Sequence, residues 1–185
     1  MSIAVVGSIG LDTIQTPAGR VNDVLGGSAA YFSLAARHFM PVSLVAVVGK
    51  DFPRDARSLL DQPDVDLAGL EVQDGKTFRW EGVYSDDMNT RATIRTELNV
   101  FERFDAKLPE RTLALRNVFL ANTDPVLQRN VLGQLSRPQL VLADTMNYWI
   151  RNKRAELMET LKQVRILIIN EVNQSLIHRC PRSPH

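Results

Sequence analysis

Five short apolar runs, at positions 3–6, 42–48, 118–121, 140–143 and 166–169, constrain the fold more than any other feature of the chain. Each is nearly continuous, without the alternation of a strand that has one wet face, and each is followed by a glycine, asparagine or aspartate. Such runs belong to strands covered on both faces, as in the parallel sheet of a layered fold. Helical patterns fill the gaps. Over 28–39, Ala29, Phe32, Ala36 and Phe39 form one stripe, and Ser28 is placed to cap the first turn. Asp124 followed by Pro125 reads as a helix start, with Val126, Leu127, Val131, Leu132 and Leu135 behind it. The stretch 153–163 repeats the pattern through Leu157, Met158 and Leu161. Alternating strands and helices predict an α/β layered fold with right-handed crossovers.

One segment departs from this rhythm. Over about 70–100 the period becomes two, with Phe78, Trp80 and Tyr84 on one side and Thr77, Arg79 and Glu81 on the other. Asp74-Gly75 is a hairpin-turn pair, and "SDDMN" can make a second turn. The pattern fits a small antiparallel sheet projecting from the body, or an ordinary edge meander. Nothing in the chain looks like a linker, so the projection is expected to be an insertion in a single domain. The 185 residues are 44% hydrophobic, enough for one buried core.

Charge narrows the partners. Lysine plus arginine number 22 and aspartate plus glutamate 21, so no basic field is available to hold nucleic acid. The single cysteine, Cys180, fits a reducing compartment. "MSIAVVGSIGLD" has no basic leader and only a short apolar run, so neither a signal peptide nor a membrane span is expected, and the cytoplasm is the expected location.

Ligands of open α/β sheets bind beyond the carboxyl ends of the strands. Here those ends carry Gly7 and Asp12, Gly49 and Asp51, Asn122 and Asp124, Asp144 and Asn147, and Asn170. Turn and cap positions favour the same residue types, and Asp124 is better read as a helix cap than as a ligand. "VVGSIGLD" does not open a dinucleotide site, because Gly7-x-x-Gly10 runs on into "LDTIQTPAGR", an extended or looping segment, and not into a helix. A nicotinamide-dependent oxidoreductase is therefore disfavoured. Gly26-Gly27, by contrast, stands directly before the helix near Ser28, where a ligand could touch bare main chain at the positive end of the dipole. A structural turn would also tolerate the pair.

In order along the chain, "VVGSIGLD", "LGGSAAYFSLAARHFMPVSLVAVVGKD", "DVDLAGLEV", "LADTMN" and "LIIN" resemble the ribokinase-like (PfkB-type) family of ATP-dependent carbohydrate and nucleoside kinases, over about 3–171. The resemblance implies a three-layer α/β sandwich with a mainly parallel sheet and a small antiparallel β lid over the substrate, which accounts for the period-two segment. It implies that Asp12 accepts hydrogen bonds from substrate hydroxyls, that Gly26 and Gly27 lie against the sugar, and that Asn170 lies near metal and phosphates. Asp144 and Asn147 are implied to face the cleft, Asn122 of the strand ends is a further substrate-binding candidate, and Arg79, Trp80 and Arg91 are candidate lid contacts or plain solvent-facing side chains. Tyr31 stands where many sugar kinases of the family carry asparagine, and can stack on a ring or fill the first helical turn. Gly10 stands where some members hold a polar group.

The resemblance also implies ATP and Mg2+ as cofactors and a G-A-G-D segment supplying the anion hole and the catalytic aspartate. No G-A-G-D occurs in this sequence, so no catalytic residue is assigned, and ATP and Mg2+ are not expected to bind this chain alone. Within N-x-x-E the fourth position is Asn173. The expectation is an incomplete kinase domain over 1–171 with the carboxyl-terminal half missing, a non-family tail over 172–185 that is disordered, and one side of the sheet left bare. His178, Cys180 and His185 match no standard metal spacing. Two functions stand open: the substrate-side portion of a sugar or nucleoside kinase, inactive alone, and a non-catalytic sugar-binding module or homodimer assembled through the lid.

Overall fold

In the computed structural model residues 1–88 and 90–178 are described. The five apolar runs become β1 (Ile3–Val6), β4 (Val42–Gly49), β8 (Asn117–Leu120), β9 (Leu140–Asp144) and β10 (Ile166–Ile168) of one sheet. A sixth strand, β5 (Val65–Gln73), completes it, and the order is β10-β9-β8-β1-β4-β5, with every neighbouring pair parallel. Burial explains the continuous runs. Ala4 and Val6 of β1 point into one core with Val45, Val47, Val118 and Leu120, while Ile3 and Val5 point into the other with Leu44, Ala46 and Phe119.

Helices α1 (Ser28–Ala36) and α2 (Arg54–Leu60) cover the second of these faces, where Phe32 stacks on Phe119 at 3.9 Å between ring centroids. The first face is covered by α4 (Pro125–Gln134) through Leu127, Val131 and Leu132, with the short α3 (Glu110–Leu113) leading into β8. Asp124 caps α4 as its sequence predicts, accepting the Val126 N–H at 2.9 Å. Beyond β9 come α5 (Asn147–Asn152) and α6 (Arg154–Leu161), then β10, whose Ile166 and Ile168 stay 44% and 46% exposed.

The lid differs from the expectation in two respects. It is a four-stranded sheet ordered β3-β2-β6-β7, built from β2 (Gly10–Thr16), β3 (Gly19–Gly26), β6 (Phe78–Tyr84) and β7 (Arg91–Glu97). It is therefore mixed, not antiparallel, because β2 and β6 run parallel between two hairpins. "LDTIQTPAGR" is strand and turn, with Pro17 and Ala18 between β2 and β3. Its pattern was hidden because most of β3 faces solvent. Asp74-Gly75 makes no hairpin; it carries the chain from the body sheet into the lid, whereas the turn after Ser85 does join β6 to β7.

Helix α1 ends at Ala36, and Phe39, expected on its stripe, is 85% exposed. The tail expected to be disordered from 172 begins instead as α7 (Glu171–His178). Polar anchors, not an apolar stripe, hold it. Asn170 Oδ1 accepts the Asn173 N–H at 2.8 Å, and the buried Asn173 donates to the Thr145 carbonyl at 3.0 Å. Arg154 donates to the carbonyls of Leu176 and Ile177 near the other end. Cys180, His185 and the remainder of 179–185 lie outside the described residues. Among the described residues no helix is long and apolar enough to cross a membrane.

Candidate acceptor-binding site

Asp12 projects from β2, the lid strand that follows β1, and lies against the backbone of Gly26 at the end of β3. A Cβ on Gly26 would fall within 2.5 Å of both Asp12 carboxylate oxygens, so the carboxylate rests directly on bare main chain. Gly27 adopts φ 94°, and its own Cβ would lie 2.8 Å from Ile9 Cα and closer still to the Ser8 carbonyl oxygen. The two glycines thus do different things: the first makes room for a carboxylate, and the second makes the turn into α1. Burial pushes the Asp12 carboxyl up to about 6, against the opposing pull of the Arg91 guanidinium.

Ser28 opens α1 but does not cap it. Its hydroxyl oxygen accepts the Asn122 N–H at 2.8 Å, and the same hydroxyl favours the charged form of the Asp144 carboxyl. One small side chain therefore ties α1 to the end of β8. Burial pushes the Asp144 carboxyl up to about 7, opposed by the Ser28 hydrogen bond and by one from its own backbone. Gln128 of α4 draws the same strand ends together, donating to the carbonyls of Leu120, Ala121 and Asp144 at 3.1, 3.4 and 3.3 Å.

Around this junction several buried polar atoms have no protein partner: Ser8 Oγ, Asn122 Oδ1, Asp144 Oδ1, Thr145 Oγ1 and Asn147 Oδ1. Buried polar atoms normally find a partner, so such a concentration at the strand ends marks where polar groups from outside the chain belong. Asn122, Asp144 and Asn147 are among the residues singled out from the sequence, and each has an unpartnered buried oxygen here. Ser8 and Thr145 were missed because they sit just beyond the apolar runs, where serine and threonine look like ordinary turn residues; Ser28 was misread as a cap.

Other expected residues are engaged elsewhere. The Tyr31 hydroxyl donates to the Leu25 carbonyl at 2.8 Å, tying α1 to β3, while the residue stays 58% exposed. Gly10 is packed by Phe78, into which its Cβ would run. Asn170 spends its side-chain oxygen on capping α7. Arg79 makes ion pairs with Asp23 and Asp51 and so joins the lid to the body. Among the described residues no three His, Cys, Asp or Glu side chains cluster so as to hold a metal ion.

Between lid and body lies a cavity of about 440 Å3, lined by Trp80, Arg91, Thr93 and Thr96 above and by Met146, Asn147, Tyr148, Arg151 and Asn152 below. A substrate-sized polar molecule fits such a space. The molecular plan has known counterparts. The nucleoside kinase of Methanocaldococcus jannaschii, an archaeal member of the ribokinase family, superposes with a TM-score of 0.67 at 18% identity, covering 95% of this chain and 62% of that one. Ribokinase from Thermotoga maritima gives 0.62 at 14% identity, over 90% and 58% of the two chains. The fold is ribokinase-like.

A third ribokinase-like structure, the Cryptococcus neoformans ribokinase in complex with ADP, gives a TM-score of 0.61 at 19% identity over 91% of this chain and 56% of its own. In sequence, a cytidine kinase from Thermococcus kodakarensis is 27% identical over 176 residues, or 92% of this chain and 62% of the relative. The chain thus spans about three-fifths of that relative's length. No family model matches it. The ribokinase-like fold has β1 running into β2 and not into a helix, which is why the Gly7-x-x-Gly10 spacing differs from a dinucleotide fingerprint.

Proposed function

We propose that this chain forms the acceptor-binding part of a kinase that moves phosphate from ATP to a hydroxyl of a sugar or nucleoside. The observation that carries the proposal is the seating of the Asp12 carboxylate on the bare backbone of Gly26, on the strand beside Trp80, which lines the cavity together with Asn147 and its unpartnered side-chain oxygen. A carboxylate has two oxygens and can accept from adjacent hydroxyls, which suits a vicinal diol. Gly26 keeps the space beside it open. The named relatives, a cytidine kinase and a nucleoside kinase, support the same substrate classes.

Within these residues the work is binding and orientation. Asp12 fixes the acceptor through its hydroxyls, and the strand-end junction of Ser28, Asn122 and Asp144 holds the floor rigid. ATP and magnesium would supply the phosphoryl group and neutralise its charge, but this sequence has no G-A-G-D segment to receive them. The 185 residues alone are therefore expected to bind an acceptor without transferring phosphate. A second copy, if one docks, would meet the lid edges β3 and β7, where Val21 and Ile94 are 50% and 60% exposed.

The test is calorimetric titration of the chain with ribose and with cytidine, beside a radiolabelled ATP transfer assay. Saturable binding that Asp12→Asn weakens roughly tenfold or more, as loss of a charge-assisted contact should, with no transfer, is the expected result. Transfer at an ordinary kinase rate would refute the binding-only role of these residues, and no binding of either ligand would refute the acceptor site.

A further inference from the structure

The cavity between lid and α5 has an unbalanced charge. Arg91 of β7 and Arg151 of α5 line it, and none of its lining residues is acidic. Neither guanidinium has a hydrogen bond or ion pair among the described residues, whereas the other lid arginines, Arg20, Arg79 and Arg95, are each paired with a carboxylate. Arg91 is also positioned. It lies 5.8 Å from the centroid of the Trp80 ring. That indole is itself fixed, packed so closely on Gly82 that a Cβ there would enter the ring, with its N–H donated to Thr93 Oγ1 at 3.3 Å. A cation held over a π face keeps its N–H groups for another acceptor.

Two unpaired guanidiniums on one cavity give it a positive field, which an anion joining them would neutralise. Arginine's planar fork suits a phosphate, which takes two parallel N–H bonds. Asp12 on β2 is the register partner of Trp80 on β6, the residue whose ring carries Arg91, and Arg91 pulls on its charge; the anion site therefore adjoins the strand pair that presents Asp12. We propose that the acceptor already carries a phosphate group, as a sugar phosphate or nucleoside monophosphate does, and that Arg91 and Arg151 grip it while Asp12 takes its hydroxyls. The proposal rests on Asp12 being the acceptor site.

Titrating the 185-residue chain at pH 8 with ribose, ribose 5-phosphate, inorganic phosphate and ATP tests it, in the wild type and in Arg91→Gln, Arg151→Gln and Asp12→Asn. Both arginines are exposed, and circular dichroism confirms that each variant is folded. Ribose 5-phosphate should bind about tenfold or more tighter than ribose. That preference should disappear in either arginine variant and partly return in Arg91→Lys. Ribose binding as tightly as its phosphate, with both lost in Asp12→Asn, overturns this proposal and leaves the acceptor site standing. Inorganic phosphate binding as well as ribose 5-phosphate, indifferent to Asp12→Asn, would mean a bare anion site and overturns it too. ATP outcompeting the sugar phosphate through the same arginines would assign them to the donor, and binding of none of the four refutes both readings.

Discussion

Adjacent glycines at 26 and 27 separate what the site needs from what the fold needs. An alanine at 26 has an ordinary backbone to adopt, but its methyl group would overlap the Asp12 carboxylate, the far end of a side chain that can swing away. Gly26→Ala should therefore fold with a small change in melting temperature and lose acceptor binding. An alanine at 27 would be forced to φ 94° and would press its methyl group onto Ser8 and Ile9 backbone, which cannot move cheaply. Gly27→Ala should cost about 1–3 kcal/mol of stability from backbone strain alone. Paired thermal melts and titrations check the contrast, and a Gly26→Ala protein that binds normally would remove the carboxylate from the site. Asp12 and the glycine pair were singled out in the sequence by a spacing and a resemblance, and the structure places Asp12 against Gly26. Ser28 was legible only as a cap, since nothing in a one-dimensional pattern says that its hydroxyl is spent on Asn122, more than ninety residues away.

At the scale of elements, the passage from β5 into the lid is pinned by the residues just after β4. Thr77 is fully buried; its N–H and hydroxyl both donate to Asp51 Oδ1 at 2.7 Å, and its hydroxyl oxygen accepts the Gly49 N–H at 3.0 Å. A Cβ on Gly49 would lie 2.5 Å from the Thr77 nitrogen, so glycine is needed for the approach. Asp51 then receives Arg79 from β6 at 3.0 Å, and Arg79 reaches on to Asp23 in β3. Burial alone would raise the Asp51 carboxyl, but Thr77 and Arg79 together hold it below the usual carboxylate range. The "VGKD" stretch is thus a hinge clamp for the lid. Thr77→Val should cost about 1–3 kcal/mol, because it strands buried partners, and should speed amide exchange in β6 and β7 ahead of the body sheet. Uniform exchange across both sheets would show that the clamp does not govern the lid. The body strands were legible because burial on both faces writes a continuous apolar run. The lid was only half legible: in β3, Arg20, Val21, Asn22 and Asp23 face water, so hydrophobicity carries no message there.

For the whole molecule, the carboxyls of Asp12 and Asp144 set how stability depends on pH. Both are raised from 3.8, to about 6 and about 7 respectively, because burial disfavours their charge. The folded protein therefore holds protons that the unfolded chain has released once pH exceeds about 4. Stability must fall as pH rises from about 4 towards 7, and the loss is complete above that. At 1.36 kcal/mol per pK unit the two losses are on the order of 3–4 kcal/mol each. Asp51 acts with the opposite sign, but its contribution is lost only at pH values near or below 3.8. The chain should therefore melt several degrees higher at pH 5 than at pH 8. Asp12→Asn and Asp144→Asn should each raise the melting temperature at pH 8 and change little at pH 4. A ligand that donates hydroxyls to ionised Asp12 relieves part of the same penalty, so its stabilisation should be larger at pH 8 than at pH 5. On the proposed function, site and fold are in tension at Asp12: the charge that would recognise an acceptor is one that burial disfavours. A wild-type melting temperature that climbs between pH 5 and pH 8, or an Asp12→Asn protein that melts lower at pH 8, would show that neither carboxylate carries this burden.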